Sequence, residues 1–241
     1  MKKLLPFVLV ILAATFLLST SISAENESGF TYGFYDESES SIIIKGYTGT
    51  LEPGQDLTVP SEIDGKPVVA IEGTYGKKAP NYSTTPGEQY GTFTLPDTMH
   101  TINNVNLYGF TGTLVIPESV TSITGSIGVA DVEELIINAN IEHFSADILA
   151  YYKENNYPYA LKKLVIGDHV KYFSSILYGA NKLETIELSD SVLYFDASDL
   201  HYTEPAIYLK RFHAPFVEIY LRGHYKCNPY HDDTCQQGIA S

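Results

Sequence analysis

Apolar residues recur along this chain in a fixed phrase. Two of them are separated by one residue, an anchor follows directly, and further apolar positions come three and six residues beyond it. Thr92 to Ile102, Thr113 to Ile123 and Leu183 to Phe195 carry the phrase most plainly. With anchors at Pro60, Pro96, Pro117, Asn138, Gly167, Ser189 and Lys210, the intervals are 36, 21, 21, 29, 22 and 21 residues. Leu57, Phe93, Leu114, Leu135, Leu164, Ile186 and Ile207 stand three before the anchors; Val59, Leu95, Ile116, Ile137, Ile166, Leu188 and Leu209 stand one before. Ile63, Met99, Val120, Ile141, Val170 and Val192 follow three after, with His213 as the break. Ile102, Ile123, Phe144, Phe173, Phe195 and Phe216 follow six after; in the first unit Val69 or Ile71 is the nearest equivalent. A period in the twenties with this spacing predicts a solenoid, here a mainly β solenoid of about seven units over residues 51–222. A lone unit buries too little apolar surface to offset the entropy of ordering it, so the units must stack into one core.

Alternation along each strand before an anchor sends two side chains inward and two outward. The outward set includes Thr94, Thr113, Val115, Glu134, Ile136, Lys163, Val165, Glu187 and Tyr208. Stacking turns it into rows spaced by about 4.8 Å, in which Val115, Ile136 and Val165 form an apolar strip. Such a strip suits ligand binding, or simply reflects the β-branched residues strands favour. The phenylalanines at 144, 173, 195 and 216 point inward and predict a stacked spine. His143 and His169 fall at outward positions, where a solvated imidazole is expected.

Residues 25–50 predict an N-terminal capping hairpin, with strand-like Phe30 to Asp36 and Ser41 to Gly49 flanking a polar turn. Asp64-Gly65 predicts a tight turn between two short strands. Two stretches interrupt the rhythm. Residues 72–91, rich in Gly, Pro and Tyr, predict a projecting loop. Residues 145–160 predict a short helix capped by Ser145, with Ile148, Leu149 and Tyr152 on one face. Tyrosine crowds both insertions; Tyr151 and Tyr152 join the candidate ligand-binding residues because the side chain offers rigid amphipathic contact area. Packing of these rings against the solenoid edge is the competing reading.

Lys2 and Lys3 precede an apolar run from Leu4 to Leu18, and a small-residue stretch ends at Ala24, the pattern of a Sec-type signal peptide over residues 1–24. The run is short for a membrane span, so a secreted chain with no membrane insertion after cleavage is expected. The formal net charge is −14, more negative still without Lys2 and Lys3, which disfavours nucleic acid and anionic membranes as partners.

Gly46 to Ile71, together with Leu114 to Ile123, resembles the repeat core of bacterial BspA-like leucine-rich-repeat proteins, and the likeness extends over about residues 30–222. The resemblance implies a leucine-rich-repeat solenoid wound as a right-handed superhelix, an extracellular setting, and adhesion to or recognition of a protein or glycan. The later units replace proline by Asn138, Gly167, Ser189 and Lys210 and lack the alanine-phenylalanine step common after the second strand.

Residues 223–241 are expected to form a short C-terminal cap. Cys227 and Cys235 are the only cysteines; an even count in a secreted chain predicts a disulfide, with a zinc site that adds His224 and His231 as the rival. Asp232-Asp233 falls short of a calcium loop. No catalytic motif for hydrolase, metalloprotease or phosphate chemistry is present, so no catalytic residue, cofactor or metal is assigned. The expected function is non-enzymatic recognition; a structural surface-assembly component and a glycan-acting enzyme are the alternatives.

Overall fold

The computed structural model describes residues 24–25, 28–77, 88–148, 160–174, 177, 180, 182–196, 208–209 and 218–220. Among them every regular element is a strand: β1 (Ala24–Glu25), β2 (Phe30–Phe34), β3 (Ile42–Tyr47), β4 (Leu57–Thr58), β5 (Glu62–Ile63), β6 (Lys66–Tyr75), β7 (Phe93–Thr94), β8 (Thr101–Leu107), β9 (Thr113–Ile116), β10 (Ser122–Gly128), β11 (Glu134–Ile137), β12 (His143–Phe144), β13 (Lys163–Ile166), β14 (Tyr172–Ser174), β15 (Thr185–Leu188), β16 (Tyr194–Asp196), β17 (Tyr208–Leu209) and β18 (Glu218–Tyr220).

Each repeat contributes two strands to two layers. The front layer holds a parallel ladder in the order β9, β11, β13, β15, β17, with β4 and β7 paired beside it as a separate ladder. Leu114, Leu135, Leu164 and Ile186 lie opposite one another in successive rungs, as do Ile116, Ile137, Ile166 and Leu188. Leu95, by contrast, follows a strand that bonds to β4 and has no ladder to β9. The rear layer is divided. β3, β6, β8 and β10 form one parallel run, and β12, β14, β16 and β18 form another.

The chain turns between layers at the anchors. The amides of Met99, Val120 and Val192 donate to the carbonyls of Pro96, Pro117 and Ser189, three residues back. In the fourth unit the turn is tighter, since Ile141 donates to Ala139. Between the layers lies one continuous apolar core that includes Leu114, Leu135, Leu164, Met99, Val120 and Val170. Phe144, Phe173 and Phe195 stack within it, with centroids 5.4 and 5.0 Å apart and ring planes within 10° of parallel.

At the N-terminal end β2 and β3 form an antiparallel hairpin, and β3 then begins the parallel run. The Asp36 carboxylate organises the hairpin loop, accepting from the Ser38, Ser40 and Ser41 hydroxyls and the Ser40 amide. Asp64 and Gly65 both have positive φ (52° and 74°) and join β5 to β6 in a two-residue reversal, the conformation an Asp-Gly pair favours.

Several sequence expectations are corrected. Residues 72–75 are not loop but the end of β6, which continues through a bulge at Gly73 (φ 98°) to the fully buried Tyr75. Ile71 is the first unit's match, paired with Ile102. No helix starts at Ser145: Ile127 donates to Asp147 and Ile148 is buried, so 145–148 extends alongside β10. In the last unit Leu209 lies opposite Ile186, where Ile207 was expected, moving the anchor from 210 to 212. A two-residue slip keeps every side chain on its face, so apolar alternation cannot exclude it. Opposite Phe195 stands Ile219, not Phe216. The signal segment 1–23, Leu149 to Tyr159 and the tail with Cys227 and Cys235 lie outside the described residues.

Candidate functional site

The outward side chains of the front ladder form two rows. In the first, Thr113, Glu134, Lys163 and Thr185 are register partners; in the second, Val115, Ile136, Val165 and Glu187 are. The backbone of Tyr208 is in register with Thr185, where the sequence placed it in register with Glu187. Thr94 is exposed on β7, outside this ladder. Tyr151 and Tyr152 lie outside the described residues. The apolar strip is modest: Val115 is 39% exposed, and Ile136 and Val165 are half-buried.

Lys163 ties the rows together. Its Nζ lies 2.9 Å from Glu134 Oε1 and 3.4 Å from Glu187 Oε1. The Thr113 hydroxyl donates to Glu134 Oε2 at 3.0 Å. These contacts hold the Glu134 carboxyl below its ordinary pKa, chiefly through the Lys163 hydrogen bond, and raise the Lys163 ammonium chiefly through Glu134. Along the edges Lys162 pairs with Glu133 at 2.8 Å and Lys171 with Glu142 at 3.2 Å. His169 Nε2 contacts Glu118 Oε1 at 2.8 Å. The front face thus presents paired charges beside branched apolar side chains, suited to contact with another molecule. Among the described residues no three His, Cys, Asp or Glu side chains converge to hold a metal ion.

The rear face carries a different feature. Stacked units repeat one bond pattern: two consecutive amides donate to a single carbonyl of the previous rung. Thr121 and Ser122 donate to His100, Lys171 and Tyr172 to Glu142, and Leu193 and Tyr194 to Lys171. The equivalent bonds from Glu142 and His143 to the Thr121 carbonyl are not made. On either side of this gap the chains are pinned, by Asn140 donating to Val120 at 2.8 Å and Ile127 donating to Asp147 at 2.9 Å. Between the pins the strands part around a cleft of about 190 Å³ lined by Thr121, Ser122, Ile123, Ile141, His143, Phe144, Ser145 and Ala146. Ile123 and Ile141 occupy core positions of the repeat, yet both stay only partly buried here.

One wall of the cleft is an aromatic stack. The His143 ring lies parallel to Tyr172, with centroids 4.4 Å apart and 5° between planes. Tyr172 is in turn the register partner of Tyr194. His143 is therefore exposed, as the sequence suggested, and is also the end ring of a row. Sequence reasoning missed this, although the signal was present: five residues past the anchors stand Ser122, His143, Tyr172 and Tyr194.

No family model and no curated protein matches the chain. Two solved structures are similar to it. A leucine-rich cell surface protein of Faecalibacterium prausnitzii A2-165 is 14% identical, over 89% of this chain and 57% of that one, with a TM-score of 0.39. The leucine-rich-repeat protein of T. pallidum is 17% identical, over 66% of this chain and 91% of that one, with a TM-score of 0.30. The chain thus spans just over half the length of the first. Likeness this weak carries no argument; the repeat architecture rests on the strand register itself.

Proposed function

We propose that this chain is a secreted, non-enzymatic recognition protein of the leucine-rich-repeat type that binds an extracellular protein or glycan. The observation that supports the reading is the front face, where Val115, Ile136 and Val165 lie in register beside the Glu134–Lys163–Glu187 network. Branched apolar side chains supply contact area, and the paired charges set orientation and select partners more than they add affinity.

Immobilised protein exposed to extracellular matrix proteins and glycans provides the test. Replacing Val115, Ile136 and Val165 together by lysine is expected to abolish capture while the protein stays folded. Capture unchanged by that replacement excludes the front face.

A further inference from the structure

We infer that the cleft between β10 and β12 is a second binding site, on the opposite layer from the front face, and that it takes one ring of a neutral sugar chain.

The cleft is built into the fold. It is closed at both ends by backbone hydrogen bonds and opens only where the repeated bond to the previous rung is missing. At that point the amide of His143 and the carbonyl of Thr121, both on lining residues, lack the partners their counterparts have in neighbouring units. The hydroxyls of Thr121, Ser122 and Ser145 make no hydrogen bond with another described residue. Its lining therefore offers donors and acceptors in a small space above a partly exposed apolar floor of Ile123 and Ile141. About 190 Å³ holds a single six-membered ring, since an apolar cavity of about 150 Å³ accepts benzene.

Chemistry narrows the occupant. No carboxylate, lysine or arginine lines the cleft, which leaves cations and anions without a counter-charge, and the chain's net charge of −14 repels anions further. Hydroxyls and backbone groups around an apolar floor suit an uncharged polyhydroxylated ring. His143 supplies a stacking wall: one ring face rests on Tyr172, and the residue opposite in the repeat register is the small Ser122. Units five and six carry tyrosine at that register position, Tyr172 and Tyr194. The same row continues to Thr101, whose hydroxyl lies 3.1 Å from the Tyr35 hydroxyl. A sugar chain seated in the cleft has polar groups to follow on that side.

Full-length secreted protein would be titrated with neutral hexasaccharides of glucose, galactose, mannose, xylose and N-acetylglucosamine. Sialylated and sulfated glycans and a tyrosine-containing peptide serve as comparators. Binding is read by calorimetry and by the imidazole NMR signals of His143. At least one neutral hexasaccharide is expected to bind with a Kd on the order of millimolar or better and to shift the His143 signals. Ser122→Tyr fills the slot with the residue its row uses elsewhere, and His143→Ala removes the exposed ring of the stack. Each is expected to weaken binding at least about fivefold without changing thermal unfolding. Should Ser122→Tyr fail to fold, His143→Ala and the wild-type shifts still decide. No binding by any neutral hexasaccharide overturns the inference, as does preference for the anionic glycans or the peptide, or affinity that survives both variants. Lys163→Glu on the front face should leave this binding intact. A partner lost with Lys163→Glu yet retained with Ser122→Tyr sustains the front-face reading while saying nothing for the cleft; the hexasaccharide titration alone decides that site.

Discussion

The two layers of this molecule are made from the same repeats and each parts once, but at different places: the front between β7 and β9, the rear between β10 and β12. In front, each rung from β9 to β15 is a four-residue strand; β9, β11 and β13 share one alternation of outward and buried positions, and β15 departs from it only at the partly buried Leu188. The rear changes character along its length. β6, β8 and β10 are seven to ten residues long and bulged, with Gly73 and Gly125 at positive φ and Asn103 linking Glu72 to Thr124. β12, β14 and β16 are only two or three residues long and are held by stacked rings. The gap lies where these two styles meet, in the unit whose anchor is Asn138 and whose turn is tightened. Identical spacing of core residues thus fixes which strands are neighbours, but it does not fix whether every neighbour bonds.

The largest expected effect comes from the rear spine. Phe173 lies fully buried between Phe144 and Phe195, so Phe173→Ala should destabilise by about 3–5 kcal/mol in urea unfolding. Ile123→Ala, beside the cleft, should cost clearly less because its side chain is already partly exposed. Equal losses would remove the distinction between a closed spine and an open gap. Amide exchange sharpens the same contrast. Tyr172 and Tyr194 donate to the previous rung and His143 does not, so His143 should exchange at least about a hundredfold faster, a difference near 2.7 kcal/mol.

Bulges in the longer strands demand glycine. A Cβ on Gly73 would lie 2.3 Å from the Lys45 carbonyl oxygen at φ +98°, whereas one on Gly54, at φ +78°, meets nothing within 4 Å. Gly73→Ala is expected to cost about 1–3 kcal/mol and Gly54→Ala less, the latter through backbone strain alone. Thermal unfolding of the two variants side by side checks the order.

The smallest effect belongs to the front-face charges. The folded Glu134 carboxyl titrates below 4.5 and Lys163 above 10.5. The carboxylate's contribution is therefore present above pH 4.5 and fades as pH falls through its folded value. The ammonium's is complete below pH 10.5 and fades above that. With both groups about a third exposed, their coupling should stay under about 1 kcal/mol and shrink in salt. A double-mutant cycle of Glu134→Gln and Lys163→Met measures it.

What the sequence made legible follows from periodicity. Leu135, Leu164 and Ile186 align because their spacing leaves one solution that buries them all, and the Val115–Ile136–Val165 strip follows from that register. Tyr208 and Leu209 were misplaced because a slip of two residues preserves the alternation; His213, in a position otherwise filled by Ile, Met or Val, was the warning. Glu72 to Tyr75 read as loop because glycine and tyrosine composition hides a bulged strand. The cleft was illegible for another reason: it depends on backbone bonds that are not made, and a list of side chains does not encode those. The stacked His143 was readable in principle, one position before the phenylalanine spine.

The central claim is that successive units from β9 to β17 stack in one register in the front layer, and paired cysteines test it most directly. In a background with Cys227→Ser and Cys235→Ser, Ile136→Cys with Val165→Cys places two thiols on register partners in adjacent rungs, within reach of a disulfide. Ile136→Cys with Glu187→Cys places them two rungs apart, beyond that reach. The account predicts rapid intramolecular oxidation of the first pair and none of the second. Oxidation of the second pair, or failure of the first in folded protein, would contradict it.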